Sequence, residues 1–157
     1  MVIHRVTFPG AILERGFWLY VWHICRGSDE FYYVGRTGDS SSQFASSPFS
    51  RLGQHLDIRP SAKANTLLRH VRTQGFDPLE CTFELQAYGP LFPEQSSLEL
   101  HRKYRDQIAP LETVLADLLR NMGLNVVGVH GKPRSAPAEL KLEVERVFKE
   151  VFSGCNR

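Results

Sequence analysis

Three segments of the chain carry the apolar patterns that are typical of β-strands. Residues 17–24, "FWLYVWHI", are almost entirely aromatic or aliphatic, which indicates a largely buried strand. Turn-forming residues follow, and residues 31–34 repeat the strand pattern, so the two segments predict an antiparallel hairpin. Residues 79–88 alternate apolar and polar positions and predict a third strand.

Apolar residues spaced three and four apart predict helices between and after these strands. Proline is favoured at the first position of a helix, so we expect Pro110 to begin one, and Ser135 is a candidate cap for the last helix. The expected helices cover residues 49–58, 61–75, 93–108, 110–123 and 137–152.

This order of elements predicts the fold class α+β, with a small three-stranded antiparallel sheet flanked by helices. A length of 157 residues suits a single domain, here residues 1–157, with a core over 17–127 and a C-terminal helix over 137–152. The serine-rich segment 38–48 is a loop by composition. It has two interpretations, a flexible linker or a loop beside a functional site.

Composition and charge narrow the class of protein. Apolar and charged contents of 42% and 23% are ordinary for a soluble domain, and a net charge of +2 permits nucleic acid as a partner without requiring it. The cysteines Cys25, Cys81 and Cys155 form no close pair, so we expect free thiols in a reducing, cytoplasmic setting. No segment reads as a membrane span or a signal peptide.

Several polar residues stand where this fold would bring their side chains together. A phosphodiester hydrolase needs a cation to bind the phosphate, a carboxylate for Mg²⁺, and a phenol or imidazole to move a proton. Each residue alone also has a structural explanation, such as packing for a tyrosine, a turn for Gly35, or a helix N-terminus for Glu112. The candidates are Tyr20, Tyr33, Arg36, Arg51, His55, Glu112 and Asn125.

The remaining polar residues carry weaker signals. Lys63 and Arg69 lie in a basic run that indicates either a solvated helix face or an extension of a nucleic-acid surface. Tyr32 is expected to pack in the sheet. Five histidines show no metal-like pairing and are interpreted as structural or solvated, namely His4, His23, His70, His101 and His130.

Two short motifs give these residues a context. "WLY" at residues 18–20, followed by "YVG" at 33–35, resembles the paired motif of the GIY-YIG nuclease superfamily, although Trp18 and Leu19 replace the usual glycine and isoleucine. The resemblance covers residues 17–127 and implies a GIY-YIG fold with an extra helix inserted between Arg51 and Glu112. The other matching positions, in order, are Arg36, Arg51, His55, Glu112 and Asn125.

The resemblance implies a metal-dependent endonuclease that acts on DNA, with RNA as a further possibility, and Mg²⁺ or Mn²⁺ as cofactor. Glu112 would hold the metal, with Glu94 and Glu99 as alternatives, and Arg51 would bind the scissile phosphate. Three residues would transfer protons, and either phenol is a candidate base, namely Tyr20, Tyr33 and His55. Arg36 and Asn125 would contact the substrate. A non-catalytic nucleic-acid-binding module and a purely structural protein are the alternative interpretations.

Overall fold

The computed structural model of the chain describes residues 2–131 and 135–154, so Cys155 lies outside the described residues. Short 3-10 helices occupy Gly10–Leu13 and Pro78–Glu80. The strands are β1 (Gly16–Arg26), β2 (Asp29–Arg36), β3 (Thr82–Pro93) and β4 (Val126–Val127). The helices are α1 (Pro48–His55), α2 (Thr66–Thr73), α3 (Leu98–Asn121) and α4 (Ala138–Phe152).

The sheet has four strands in the order β3-β1-β2-β4. β1 pairs antiparallel with both β2 and β3, which agrees with the hairpin and the third strand predicted from the sequence. β4 pairs parallel with β2. A small sheet flanked by helices is therefore confirmed, but the sheet is mixed rather than three-stranded and antiparallel. The missed strand, β4, has only two residues, which pair with Tyr32 and Tyr33. β2 continues through Gly35 to Arg36, so the turn expected at Gly35 is absent.

The side chains of β1 alternate between the two faces of the sheet, and each face carries one half of the core. On one face Leu19 and Val21 pack with Tyr32 against α3 and α4. On the other face Trp22 and Ile24 pack against apolar residues of α2. Tyr32 is 1% exposed, which agrees with the packing role predicted for it. The sheet therefore separates α1 and α2 from α3 and α4.

The prediction that Pro110 begins a helix was wrong, because Pro110 lies inside α3. Proline removes one backbone N–H and therefore one helical hydrogen bond. Burial outweighs this loss, since Ile108, Leu111 and Leu115 are fully buried and continue one apolar stripe past the proline. Glu112 consequently lies in the middle of α3, so its interpretation as an N-terminal carboxylate was also wrong.

The remaining helices are close to their predicted positions, with shifted ends. α1 begins after Ser47, whose side chain accepts a hydrogen bond from the Ser50 N–H. Pro137 rather than Ser135 occupies the N-cap position of α4. In the described part of the chain, none of these helices combines the length and the apolar character that crossing a bilayer requires.

Candidate active site

A buried hydrogen bond between Tyr20 and His55 forms the centre of the candidate site. The phenol oxygen of Tyr20, on β1, lies 2.8 Å from Nε2 of His55, in the last turn of α1. The two residues are only 2% and 4% exposed. Tyr33, on β2, packs its ring against the same imidazole, with ring centroids 5.6 Å apart. The three residues predicted to transfer protons thus lie together.

Burial controls the protonation of this group. Burial raises the pKa of Tyr20, and the neighbouring Tyr33 raises it further. Burial also raises the pKa of Tyr33, and Glu112 adds to the effect. The pKa of His55 is lowered to about 4 by burial and by the charge of Arg51. At neutral pH both phenols are therefore protonated and the imidazole is neutral.

An ion pair between Arg36 and Glu112 forms the second half of the site. Nε of Arg36, at the end of β2, donates a hydrogen bond to Oε2 of Glu112 at 2.8 Å. The side chains are 17% and 24% exposed. Nη1 of Arg36 is buried and has no hydrogen-bond partner among the described residues. The charge of the carboxylate also raises the pKa of both Tyr20 and Tyr33, so the two halves of the site lie within electrostatic range of each other although α1 and α3 pack on opposite faces of the sheet.

Arg51 lies one turn before His55 on α1 and faces the serine-rich loop. It forms an ion pair with Asp39 and donates from Nη1 to Gln54 at 3.1 Å. Its Nε is buried without a partner in the part of the chain that is described. Because the loop also supplies Ser47, the cap of α1, the structure favours a loop beside the site over a flexible linker. The sequence offered no signal for Asp39.

The other predicted substrate contacts lie outside this centre. Arg69 is exposed on α2, and its charge lowers the pKa of Tyr33, so it borders the site. Lys63 is exposed in the segment before α2. Asn125 is also exposed, and its backbone carbonyl accepts a hydrogen bond from the Tyr32 N–H at 2.8 Å. Asn125 therefore lies beside the middle of β2 and not at the Arg36 end.

Neither alternative carboxylate is placed to replace Glu112. Glu94 bonds to Nε of Arg15 at 2.7 Å and to the backbone N–H of Ala45 at 3.0 Å. Glu99 is exposed in the first turn of α3, about 20 Å along the helix from Glu112. Of the three, Glu112 is thus the candidate carboxylate whose charge acts on both phenols.

Two histidines interpreted as structural or solvated lie near Tyr33. The ring of His70 lies 5.4 Å from the Tyr33 ring, and burial together with Arg69 lowers the pKa of His70. His130 lies 3.2 Å from the Val34 carbonyl through Nε2, and Nδ1 lies 3.1 Å from Arg120. A carbonyl oxygen only accepts hydrogen bonds, so Nε2 of His130 is the donor to Val34. A guanidinium only donates them, so Nδ1 is the acceptor from Arg120 and His130 carries its proton on Nε2. No spacing in the sequence links these histidines to the site.

The expectation that His23 has no metal-like partner was wrong. The register of the β1–β2 hairpin places Cys25 opposite Glu30, on the same sheet face as His23. The three side chains therefore form a cluster of potential metal ligands. Its β1 members, His23 and Cys25, lie three and five residues from Tyr20, about 10 and 17 Å along the strand, and on the opposite face of the sheet.

The donor set around Glu112 fits a hard divalent cation. Oε2 bonds to Arg36, while Oε1 accepts no hydrogen bond from any described residue. One carboxylate oxygen at a partly exposed position suits Mg²⁺ or Mn²⁺, since Mg²⁺ prefers oxygen ligands and keeps several waters.

Comparison of the chain with protein-family models, with curated proteins and with solved structures gave no match.

Proposed function

We propose that this chain is a metal-dependent endonuclease of the GIY-YIG type that hydrolyses phosphodiester bonds in DNA. The observation that carries the proposal is the buried Tyr20–His55 hydrogen bond with Tyr33 packed on the same imidazole, and the Glu112 carboxylate lies within electrostatic range of both phenols. The residues assigned to the site, by resemblance and by position, are Tyr20, Tyr33, Arg36, Arg51, His55 and Glu112.

Glu112 would hold Mg²⁺ or Mn²⁺ through Oε1, the oxygen that Arg36 leaves free. When bound, such an ion polarises a phosphoryl oxygen and lowers the pKa of its bound water. The carboxylate is only 24% exposed, so its remaining contacts are restricted by the surrounding protein.

The two arginines supply the contacts for an anionic substrate. Nη1 of Arg36 and Nε of Arg51 are buried donors without a partner among the described residues. A buried donor that stays unpaired costs about 1–3 kcal/mol, or more for a charged group, so these positions favour a ligand that accepts hydrogen bonds. Phosphate oxygens are such acceptors, and a guanidinium binds them through charge-assisted hydrogen bonds. We assign both arginines to the scissile phosphate and its neighbours.

The phenols and the imidazole divide the proton transfers between them. Tyr20 is held in the interior by His55, and the neutral imidazole, in the tautomer with its proton on Nδ1, would accept a hydrogen bond from the phenol at Nε2. Tyr33 is the more exposed of the two phenols and is the one that solvent can reach. We therefore place the attacking water beside Tyr33, and its proton would pass to Tyr20 as Tyr20 gives its own hydroxyl proton to Nε2 of His55.

The nucleic-acid surface would extend from the site along α2. Arg69 is exposed and borders Tyr33, and Lys63 is exposed in the preceding segment. A second candidate function is a non-catalytic nucleic-acid-binding module, and it is favoured by one observation, the engagement of Glu112 by Arg36. Such a module would bind DNA with the salt dependence that phosphate contacts produce, without cutting it.

The test is cleavage of plasmid DNA and of single-stranded DNA and RNA oligonucleotides with Mg²⁺ or Mn²⁺, compared with EDTA. Glu112→Gln should lose about 1000-fold in cleavage rate and keep the wild-type circular dichroism spectrum. Glu99→Gln, on the same helix, should stay within about twofold of wild type, because a solvated carboxylate far from the site contributes little.

Two results would contradict the proposal. Undiminished cleavage by Glu112→Gln would move the metal to another carboxylate. No cleavage by the wild-type chain on any substrate, together with a salt-sensitive gel shift, would establish the binding module instead.

A further inference from the structure

The turn end of the β1–β2 hairpin carries three different metal-binding groups. Nε2 of His23 lies 2.7 Å from a carboxylate oxygen of Glu30 and 3.1 Å from Sγ of Cys25. One ligand atom from each of the three residues lies within 4.8 Å of the other two. An imidazole, a thiol and a carboxylate thus converge on one point of the sheet surface.

The His23 ring lies between a carboxylate of β3 and a tyrosine ring of β2. Its second nitrogen, Nδ1, faces a carboxylate oxygen of Glu84 on β3 at 3.7 Å. The ring also stacks on Tyr32, with centroids 4.5 Å apart and planes 2° apart. Metal-binding histidines usually have a carboxylate or carbonyl behind the second nitrogen, which fixes the ring and makes the first nitrogen more basic. Nε2 is therefore the nitrogen that would bind an ion, in place of the proton that it shares with Glu30.

The donor types select the ion. Thiolate, imidazole and carboxylate are the ligands that Zn²⁺ takes in proteins, whereas Mg²⁺ takes oxygen alone. Tetrahedral bonds to Zn²⁺ of about 2.0–2.3 Å separate two ligand atoms by about 3.3–3.6 Å. The pairs made by Nε2 would have to open by about 0.5 Å, and Glu30, with 46% of its side chain exposed, has room to move.

We propose that His23, Cys25 and Glu30 form a three-ligand Zn²⁺ site that is separate from the candidate active site. Three protein ligands leave a fourth position for water or for an added ligand. A bound ion would join β1 to β2 next to their turn and stabilise the hairpin, because binding to the folded state alone raises the free energy of unfolding. The site does not depend on nuclease activity, so it stands or fails independently of the proposed function.

Cobalt provides the direct test, because Co²⁺ binds where Zn²⁺ binds and its thiolate complexes absorb in the near ultraviolet. Titration of the reduced wild-type chain should give this absorption with one equivalent of Co²⁺, and Zn²⁺ should abolish it by displacing the cobalt. Cys25→Ser should lack the absorption. Cys81→Ser, which removes the other free thiol among the described residues, should retain it.

The carboxylates provide a second arm. Glu30→Gln removes a ligand and should weaken Zn²⁺ binding more than Glu84→Gln, which should weaken it by about 10-fold because the carboxylate behind Nδ1 of His23 is lost. Zn²⁺ should raise the melting temperature of the wild type and not that of Cys25→Ser. The absence of stoichiometric Co²⁺ binding, or an unchanged spectrum in Cys25→Ser, would overturn the site and leave a hydrogen-bonded histidine–glutamate pair.

Discussion

The ring of Tyr20 lies against Gly35, its partner in the β1–β2 pairing, and leaves no room there for a side chain. A Cβ atom on residue 35 would lie 2.5 Å from Cε2 of the tyrosine and 2.6 Å from its hydroxyl oxygen. Gly35 has no positive φ, so it is needed for space rather than for a turn. The glycine of the "YVG" segment therefore allows the phenol to cross the neighbouring strand and reach His55.

Gly35→Ala should displace the phenol and break its hydrogen bond to His55. We expect a loss of about 1–3 kcal/mol in the free energy of unfolding, the usual cost of an added group in a packed site. Urea denaturation measures it. Gly53→Ala is the matched control, because a Cβ there meets no atom within 4 Å and alanine favours a helix by about 1 kcal/mol over glycine. Equal stability of wild type and Gly35→Ala would contradict this packing.

The Tyr20 hydroxyl should contribute to stability far more than the Tyr33 hydroxyl. Tyr20→Phe leaves the buried Nε2 of His55 without a partner, which should cost about 1–3 kcal/mol. The Tyr33 hydroxyl makes no hydrogen bond in the described part of the chain, so Tyr33→Phe should cost less than about 0.5 kcal/mol. Chemical denaturation of both variants measures the two losses in the free energy of unfolding. A larger loss for Tyr33→Phe than for Tyr20→Phe would mean that the buried hydrogen bond is made by Tyr33 and not by Tyr20.

The neutral state of His55 should make stability depend on pH. Its pKa is lowered from 6.5 to about 4 in the folded chain, so between these values the unfolded chain binds one more proton. The free energy of unfolding should therefore fall as the pH drops from 6.5 towards 4, by about 2–3 kcal/mol from this residue.

Denaturation curves for wild type and His55→Gln between pH 4 and 8 isolate this contribution, because other titrating groups are common to both. The stability difference between the two proteins should shrink as the pH falls, since only the wild type loses this histidine's contribution. A difference that does not change with pH would mean that the imidazole is already charged or solvated in the folded state.

The hairpin, the third strand and the order of the candidate residues were predictable, because alternation and aromatic content are local properties of a strand. The continuity of α3 was not predicted, because the rule for proline at a helix start is local and burial overrode it. The stripe of Ile108, Leu111 and Leu115 was the available signal. β4 has two residues and exists only through pairing with β2, so no local pattern marks it.

For the candidate site too, residues on regular elements were predictable from local patterns, and residues that only tertiary contacts bring to the site were not. Tyr20, Tyr33 and His55 lie on elements whose existence the pattern predicted. Asp39 and His130 come from irregular segments, and only the folded chain brings them to the site. His23 and Cys25 are two residues apart on one strand, so their side chains lie on the same face of the sheet. This spacing was a usable signal for a pair of metal ligands. It was missed because only closely spaced pairs of cysteines were considered.

Removal of Arg36 should change metal affinity and cleavage in opposite directions. Its guanidinium shares the Glu112 carboxylate that would hold the metal, so a cation bound there meets a neighbouring positive charge. Arg36→Met should bind Mn²⁺ about 5–10-fold more tightly, since a partly screened charge at this range is worth about 1 kcal/mol or more. Cleavage should fall by about 100-fold, because the variant lacks a donor for the phosphate.

Isothermal titration with Mn²⁺ and single-turnover cleavage measure the two effects on the same preparations. Arg146→Met is the control, because its ion pair with Glu150 lies on α4, and neither quantity should change. Weaker Mn²⁺ binding by Arg36→Met would mean that the arginine positions Glu112 for the metal rather than competing with it. That outcome would assign the ion pair to the preorganisation of the carboxylate, with the gain from a fixed Oε1 exceeding the repulsion between the ion and the guanidinium.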